Sequence, residues 1–215
     1  MKPVQAIAVA LLGVLAAGCA HPGPAAAARS DPALERVMSL GDLDHALLCR
    51  AIYNETNRVR AAHGSPPLGH LDALDAAADL QARYLALTLM AGHWNPRPGQ
   101  RDVGERVIHE GLGPGSAGEN VIMMPAMRPP DAPDREYTYA AYAAFLLEGW
   151  MNSPDHRETL LDPRFTHFGC SARLARGFKE GDRRIFAVQV FYLPVPPQDP
   201  DRDPANISPR PAGRT

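Results

Sequence analysis

The sequence predicts an α/β chain folded as a three-layer α/β/α sandwich, a small and mainly antiparallel sheet covered by helices on both faces. Three observations carry this. Segments with apolar residues at helical spacing alternate with breaks marked by glycine and proline. Two segments near the C-terminal end, Thr166–Leu174 and Arg184–Tyr192, read as strands around a turn at Gly177–Gly181. In the second of these Ile185, Ala187 and Gln189 alternate with Phe186, Val188 and Val190. Both of its faces are therefore largely apolar, which suits a strand buried between helical layers.

In chain order, Leu34–Leu40 is expected to form a short helix and Leu43–Ala62 the first main helix. Leu47, Leu48, Ile52 and Val59 supply its apolar repeat, and Gly64-Ser65-Pro66-Pro67 ends it. Leu71–Met90 is the second helix, with Leu71, Leu74, Ala78, Leu85 and Leu89 on its apolar stripe and Asp72, Asp75, Asp79 and Arg83 on its solvated face. Gly92-His93-Trp94-Asn95-Pro96 breaks the pattern, and Val103–His109 forms a third, short helix. Gly111–Gly118 reads as a glycine-rich loop. It lacks a following Gly-Lys-Ser/Thr and so is not a phosphate loop. Val121–Met124 is the first strand and Tyr137–Met151 the next helix. At Ser153-Pro154-Asp155-His156 another helix begins: Ser153 suits the N-cap, Pro154 the first helical position, and Asp155 the positive end of the dipole. That placement favours the neutral imidazole of His156.

The 215 residues carry 45% hydrophobic side chains and a formal charge of −2, enough for one core and without the basic footprint of a nucleic-acid binder. The N-terminus reads as an export signal: Lys2, then the apolar run Val4–Leu15. Leu15-Ala16-Ala17-Gly18-Cys19 resembles the lipobox of bacterial lipoproteins, in which the signal is cut before a cysteine that is then acylated. Residues 1–18 are thus expected to be a signal peptide, 19–42 a flexible tether, 43–193 the folded domain, and 194–215 a proline-rich tail without core-forming pattern. Cys19 would hold the lipid anchor, facing periplasm or exterior, since several acyl chains anchor stably where one is marginal. Removing Cys19 from three cysteines leaves Cys49 and Cys170, an even number for an oxidising compartment. Cys49 and Cys170 are expected to form one disulfide, which would stabilise by roughly 5 kcal/mol in the chain-entropy model; the alternative is two separate buried thiols.

A set of short motifs covers about residues 47 to 193. They are Asn57-Arg58-x-Arg60 through Pro66-Pro67-Leu68, Leu71-Asp72-x-Leu74, the alanines of Ala77–Ala86, Gly92-His93, Gly118-Glu119-Asn120-Val121, Trp150 to Leu161, Phe168-Gly169-Cys170 and Val188-Gln189-Val190-Phe191. In order and spacing they resemble the bacterial branch of the CAP superfamily (cysteine-rich secretory proteins, antigen 5 and pathogenesis-related proteins). The resemblance implies an α/β/α sandwich with a cleft containing His93, Glu119 and His156. Where members with the full set carry a second glutamate, this chain has Ser153, and Thr159 stands in place of the family's asparagine.

Two imidazoles and a carboxylate from separate segments suit zinc with an open position for water, and such a water could become a nucleophile. Equally, the trio can be a hydrogen-bonded network in which Glu119 orients a histidine. No strained Gly-x-Ser-x-Gly elbow surrounds Ser153, and Cys49 and Cys170 lack a Cys-x-x-Cys context. The expected function is an envelope-anchored binding module for a lipid, a small apolar ligand or another envelope component. The alternatives are a metal-assisted hydrolase, peptidase-like, using the His/Glu cleft, and a structural envelope protein.

Overall fold

The computed structural model describes residues 31–175, 177 and 182–195; the signal, the lipobox with Cys19, the first part of the tether and the tail beyond residue 195 lie outside the described residues. In order, a short 3-10 helix (Pro32–Glu35) precedes α1 (His45–Ala62), β1 (Gly69–His70), α2 (Asp72–Thr88), α3 (Val103–His109), β2 (Gly115–Pro125), α4 (Tyr139–Met151), α5 (Pro154–Leu161), β3 (His167–Leu174) and β4 (Arg184–Pro194). The sheet order is β1-β3-β4-β2. β4 pairs antiparallel with β3 and β2 on either side, and β1 adds two residues parallel to β3.

Alternation along the strands divides the core. On one face Ile122, Phe168, Cys170, Ala172, Ile185, Ala187 and Phe191 pack with α1, α4 and α5 around Trp150, Tyr142 and Leu48. On the other, Val121, Phe186, Val188, Val190 and Tyr192 pack with α2 and α3 around Leu74, Ala78, Leu85 and Val107. The predicted three-layer α/β/α sandwich is what the chain forms. Phe186, Val188 and Phe191 are fully buried, as the two-sided apolar pattern of β4 requires; each such side chain contributes about 1.5–3 kcal/mol. α2 lies directly on β3, because Gly169 leaves no side chain between them: a Cβ there would sit 2.4 Å from the Asp75 nitrogen.

Three expectations need correction, and one short strand was not foreseen. Gly115–Gly118 is not loop but the start of β2, pairing with Phe191 to Pro194; its glycines are there for close approach, since a Cβ on Gly115 would meet the Tyr192 ring at 2.3 Å. The helix expected over Leu34–Leu40 is only the 3-10 turn at Pro32–Glu35. Residues 31–42, placed in the tether, are built into the domain: Leu34 and Met38 are buried, and Met38 N–H donates to the Tyr137 carbonyl at 2.8 Å. The two-residue β1 was not anticipated, being too short to show a period.

Candidate functional site

β2 is an edge strand, and the candidate site is built around that edge. Glu119 points to the α2/α3 face. Its Oε1 is 2.8 Å from His93 Nδ1, and its Oε2 accepts a hydrogen bond from the Arg106 guanidinium. His93 sits in the segment between α2 and α3, where Gly92 adopts a φ of 152°. Arg106, fully buried on α3, also donates to the carbonyl of Gln100 at 2.9 Å and to that of His93 at 3.4 Å. One guanidinium thus fixes both the carboxylate and the backbone of the histidine that the carboxylate holds. The His93 side chain is 59% exposed while Glu119 is 3% exposed, so the imidazole is the part of this trio offered to solvent.

Asn120, the next residue, points the other way. Its Nδ2 donates to the His156 carbonyl at 2.9 Å and to Gln189 Oε1 at 3.1 Å. Gln189 Nε2 donates to Thr56 Oγ1 at 3.0 Å, and Thr56 donates to the Ile52 carbonyl at 2.7 Å. Thr56, Asn120 and Gln189 are all fully buried. This polar chain crosses the core from α1 through β4 and β2 to the first turn of α5, and positions His156 from behind. Ser153 occupies the N-cap as expected, but its side chain makes no capping hydrogen bond; its carbonyl accepts from Arg157 N–H at 2.9 Å.

The two imidazoles are driven apart electrostatically. The hydrogen bond to Glu119 raises the His93 pKa above the ordinary histidine value, against burial and the Arg106 charge. Burial, followed by the charge of His93, lowers that of His156. The two imidazoles thus differ in their preferred state, His93 as the proton-holding one and His156 as the neutral one.

The donor set was tested for zinc. Both Glu119 oxygens are engaged, by His93 and by a buried arginine, leaving no free carboxylate beside the imidazoles. Among the described residues the one group of three or more potential ligands whose atoms lie within 4.8 Å of one another is His70, Asp72 and Asp75, elsewhere in the fold. His93, Glu119 and His156 as arranged therefore do not fit a three-ligand zinc centre. Arg106 and Thr56 were not picked out from the sequence, and Asn120 and Gln189 only as motif positions without a role. An arginine inside the seven-residue α3 and polar side chains among the apolar positions of α1 and β4 were the available signals.

A sequence model of the cysteine-rich secretory protein family, CAP, matches residues 53–191, more than half of the chain. The chain belongs to this family. No curated protein matches it closely enough to add a function. Its fold is similar to that of an extracellular protein containing an SCP domain from Bacillus anthracis, with TM-score 0.50 and 23% identity over 69% of this chain. It spans 41% of that protein's length. Similar too are an outer surface protein of Borrelia burgdorferi (TM-score 0.49, 16% identity, 69% of this chain and 93% of that one) and a cysteine-rich secretory protein of Staphylococcus aureus (0.45, 16%, 69% and 39%). In this CAP domain the glutamate and asparagine of the Gly-Glu-Asn motif have separate tasks, one on each side of the sheet.

Proposed function

We propose that this CAP domain is an extracytoplasmic binding module, held at the cell envelope through an acylated Cys19, whose ligand is a lipid that docks its apolar part beside the His93 cleft. The observation that carries the reading is that, of seven large apolar side chains left in solvent among the described residues, five fall together in the chain: Leu87, Leu89, Met90, Trp94 and Ile108 are 39–66% exposed. All five lie at the end of α2, in the segment bearing His93, or on α3. Exposed apolar residues grouped in this way mark interaction surfaces, whereas isolated ones need no explanation. Leu89, the C-cap of α2, has a left-handed backbone with φ of 59°, which a leucine adopts only at a cost. The export-like N-terminus supports the location, and the Bacillus anthracis protein of the same fold is described as extracellular.

Trp94 makes the test direct, because it is exposed and the second tryptophan, Trp150, is fully buried. Adding phosphatidylglycerol vesicles should shift tryptophan emission to the blue, and Met90→Asp should abolish the shift while leaving Trp94 in place. Emission unchanged by vesicles, together with no lipid retained by protein purified from its own envelope, would remove the reading.

The opposed shifts of His93 and His156 favour a second reading, a hydrolase in which neutral His156 takes a proton and protonated His93 gives one. This differs from the metal-assisted form expected from the sequence, because Glu119 is not available as a ligand. Peptide or peptidoglycan hydrolysis that disappears in a folded His156→Asn variant would establish it.

A further inference from the structure

At the opposite edge of the sheet, β1 covers only the first two residues of β3, Phe168 being the last that it pairs. Beyond it a groove of about 940 Å³ runs along β3 between α1 and α2, lined among others by Cys49, Tyr53, His70, Asp75 and Cys170. Several backbone groups along β3 are met from this groove by side chains. Asp75 Oδ1 accepts from Cys170 N–H at 2.7 Å, and His45 Nδ1 lies 2.8 Å from the Ala172 carbonyl. The two thiols complete the arrangement reciprocally. Cys49 Sγ donates to the Cys170 carbonyl at 3.0 Å, and Cys170 Sγ to the Cys49 carbonyl at 3.2 Å.

We propose that Cys49 and Cys170 are a reversible dithiol–disulfide pair worked from this groove, with Cys49 the attacking thiol, Cys170 the resolving thiol, and a low-molecular-weight disulfide the oxidant. The assignment of roles rests on exposure. Both line the groove, but Cys49 is part-exposed there while Cys170 is buried. Burial, reinforced by the contact with Cys49 and by Asp75, also keeps the Cys170 thiol protonated well beyond its usual range. A small disulfide therefore reaches Cys49 first. A groove of this volume is of the size that holds small ligands.

The chemistry balances as ordinary exchange. The Cys49 thiolate attacks one sulfur of the disulfide, forming a mixed disulfide and releasing one thiolate. Cys170 then loses its proton and attacks the Cys49 sulfur, breaking the mixed disulfide and releasing the second thiolate. Two protein thiols are oxidised, one small disulfide is reduced to two thiols, and the two protein protons end on those thiols. The second step is intramolecular between groups already in contact, which offsets the high pKa of Cys170. Both oxidation states can be folded: in the dithiol each S–H has a carbonyl acceptor, and in the disulfide α1 is bonded to β3.

The test uses the full chain carrying Cys19→Ala, which leaves two of the three cysteines. The reduced protein is mixed with oxidised glutathione and analysed by mass spectrometry and thiol titration. The expected result is loss of both thiols with no glutathione retained, reversed by reduced glutathione without denaturant. Cys170→Ser, shown folded by circular dichroism, should instead keep one glutathionyl group on Cys49, and Cys49→Ser should react far more slowly. Retention of both thiols, a stable glutathionyl adduct on the protein with both cysteines, an adduct on Cys170 rather than Cys49, or a disulfide that reduced glutathione opens only after unfolding would each overturn the proposal.

Discussion

Glu119 and Asn120 are neighbours in β2 that face opposite sides of the sheet and hold different histidines: Glu119 the side chain of His93, Asn120 the backbone of His156. Period-two alternation alone would send consecutive side chains into different layers. β2 is the edge strand, so the groups held on its two faces lie at one border of the sheet.

Glu119→Gln tests the first contact. The change removes the charge that Arg106 neutralises and leaves a buried guanidinium uncompensated, so unfolding free energy should fall by about 3–5 kcal/mol. The pKa of His93 should drop toward the ordinary value, since the hydrogen bond to Glu119 is its main cause. Urea unfolding and histidine NMR read the two effects. A loss below about 1 kcal/mol would mean that Arg106 and Glu119 are not the buried pair described.

Asn120→Ala tests the second. It strips a donor from the His156 carbonyl, which is part-buried, and from Gln189 Oε1, which is fully buried. Each acceptor left without a partner costs about 1–3 kcal/mol. Besides the lower stability, the NMR signals of His156 should move while those of His70, at the far edge, stay in place. Equal movement of both would argue for general loosening instead.

Gly169→Ala probes how the α2 layer sits on the sheet. The new Cβ would lie 2.4 Å from backbone atoms of Leu74 and Asp75, which cannot swing away as a side-chain tip can. Overpacking of a tight core costs about 1–3 kcal/mol and sometimes more. A variant as stable as the parent in urea would show that α2 does not touch β3 here.

The two histidines should also shape stability against pH. His93 has a raised pKa, so its contribution is complete below the unfolded value of about 6.5 and is lost as pH climbs through the folded value. His156 has a lowered one, so its contribution is complete above about 6.5 and is lost as pH falls through the folded value. Together they place a maximum near pH 6.5, with a further acid loss as Asp79 protonates; burial opposes its ionisation, but Arg173, Arg83 and Ser171 outweigh it. Melting temperature against pH should show the maximum, His93→Asn flattening the alkaline limb and His156→Asn the limb just below neutrality. A profile unchanged by either substitution contradicts the assignment.

The sequence made the layers legible because burial on both sides leaves a mark: continuous apolar runs in β4 and helical stripes in α1 and α2. His93, Glu119 and His156 were legible as residues through their motifs, but what each one does was not. Arg106 lies in a seven-residue helix and looks like any surface arginine until α3 is seen to bury it over Glu119. Gly115–Gly118 read as loop because glycine weakens strand propensity, while the packing of Tyr192 and Phe165 against those positions demands it. Tertiary contact decided both cases, and local pattern does not carry it.

The central claim is that His93 and His156, brought from different layers, share one cleft. It is tested most directly by the NMR titration of His156 in the parent protein and in His93→Asn. If the cleft is shared, His156 titrates below the ordinary histidine range in the parent and moves upward when His93 is removed, because the neighbouring positive charge is gone. An identical titration in both proteins would place the two histidines out of reach of one another and contradict the account.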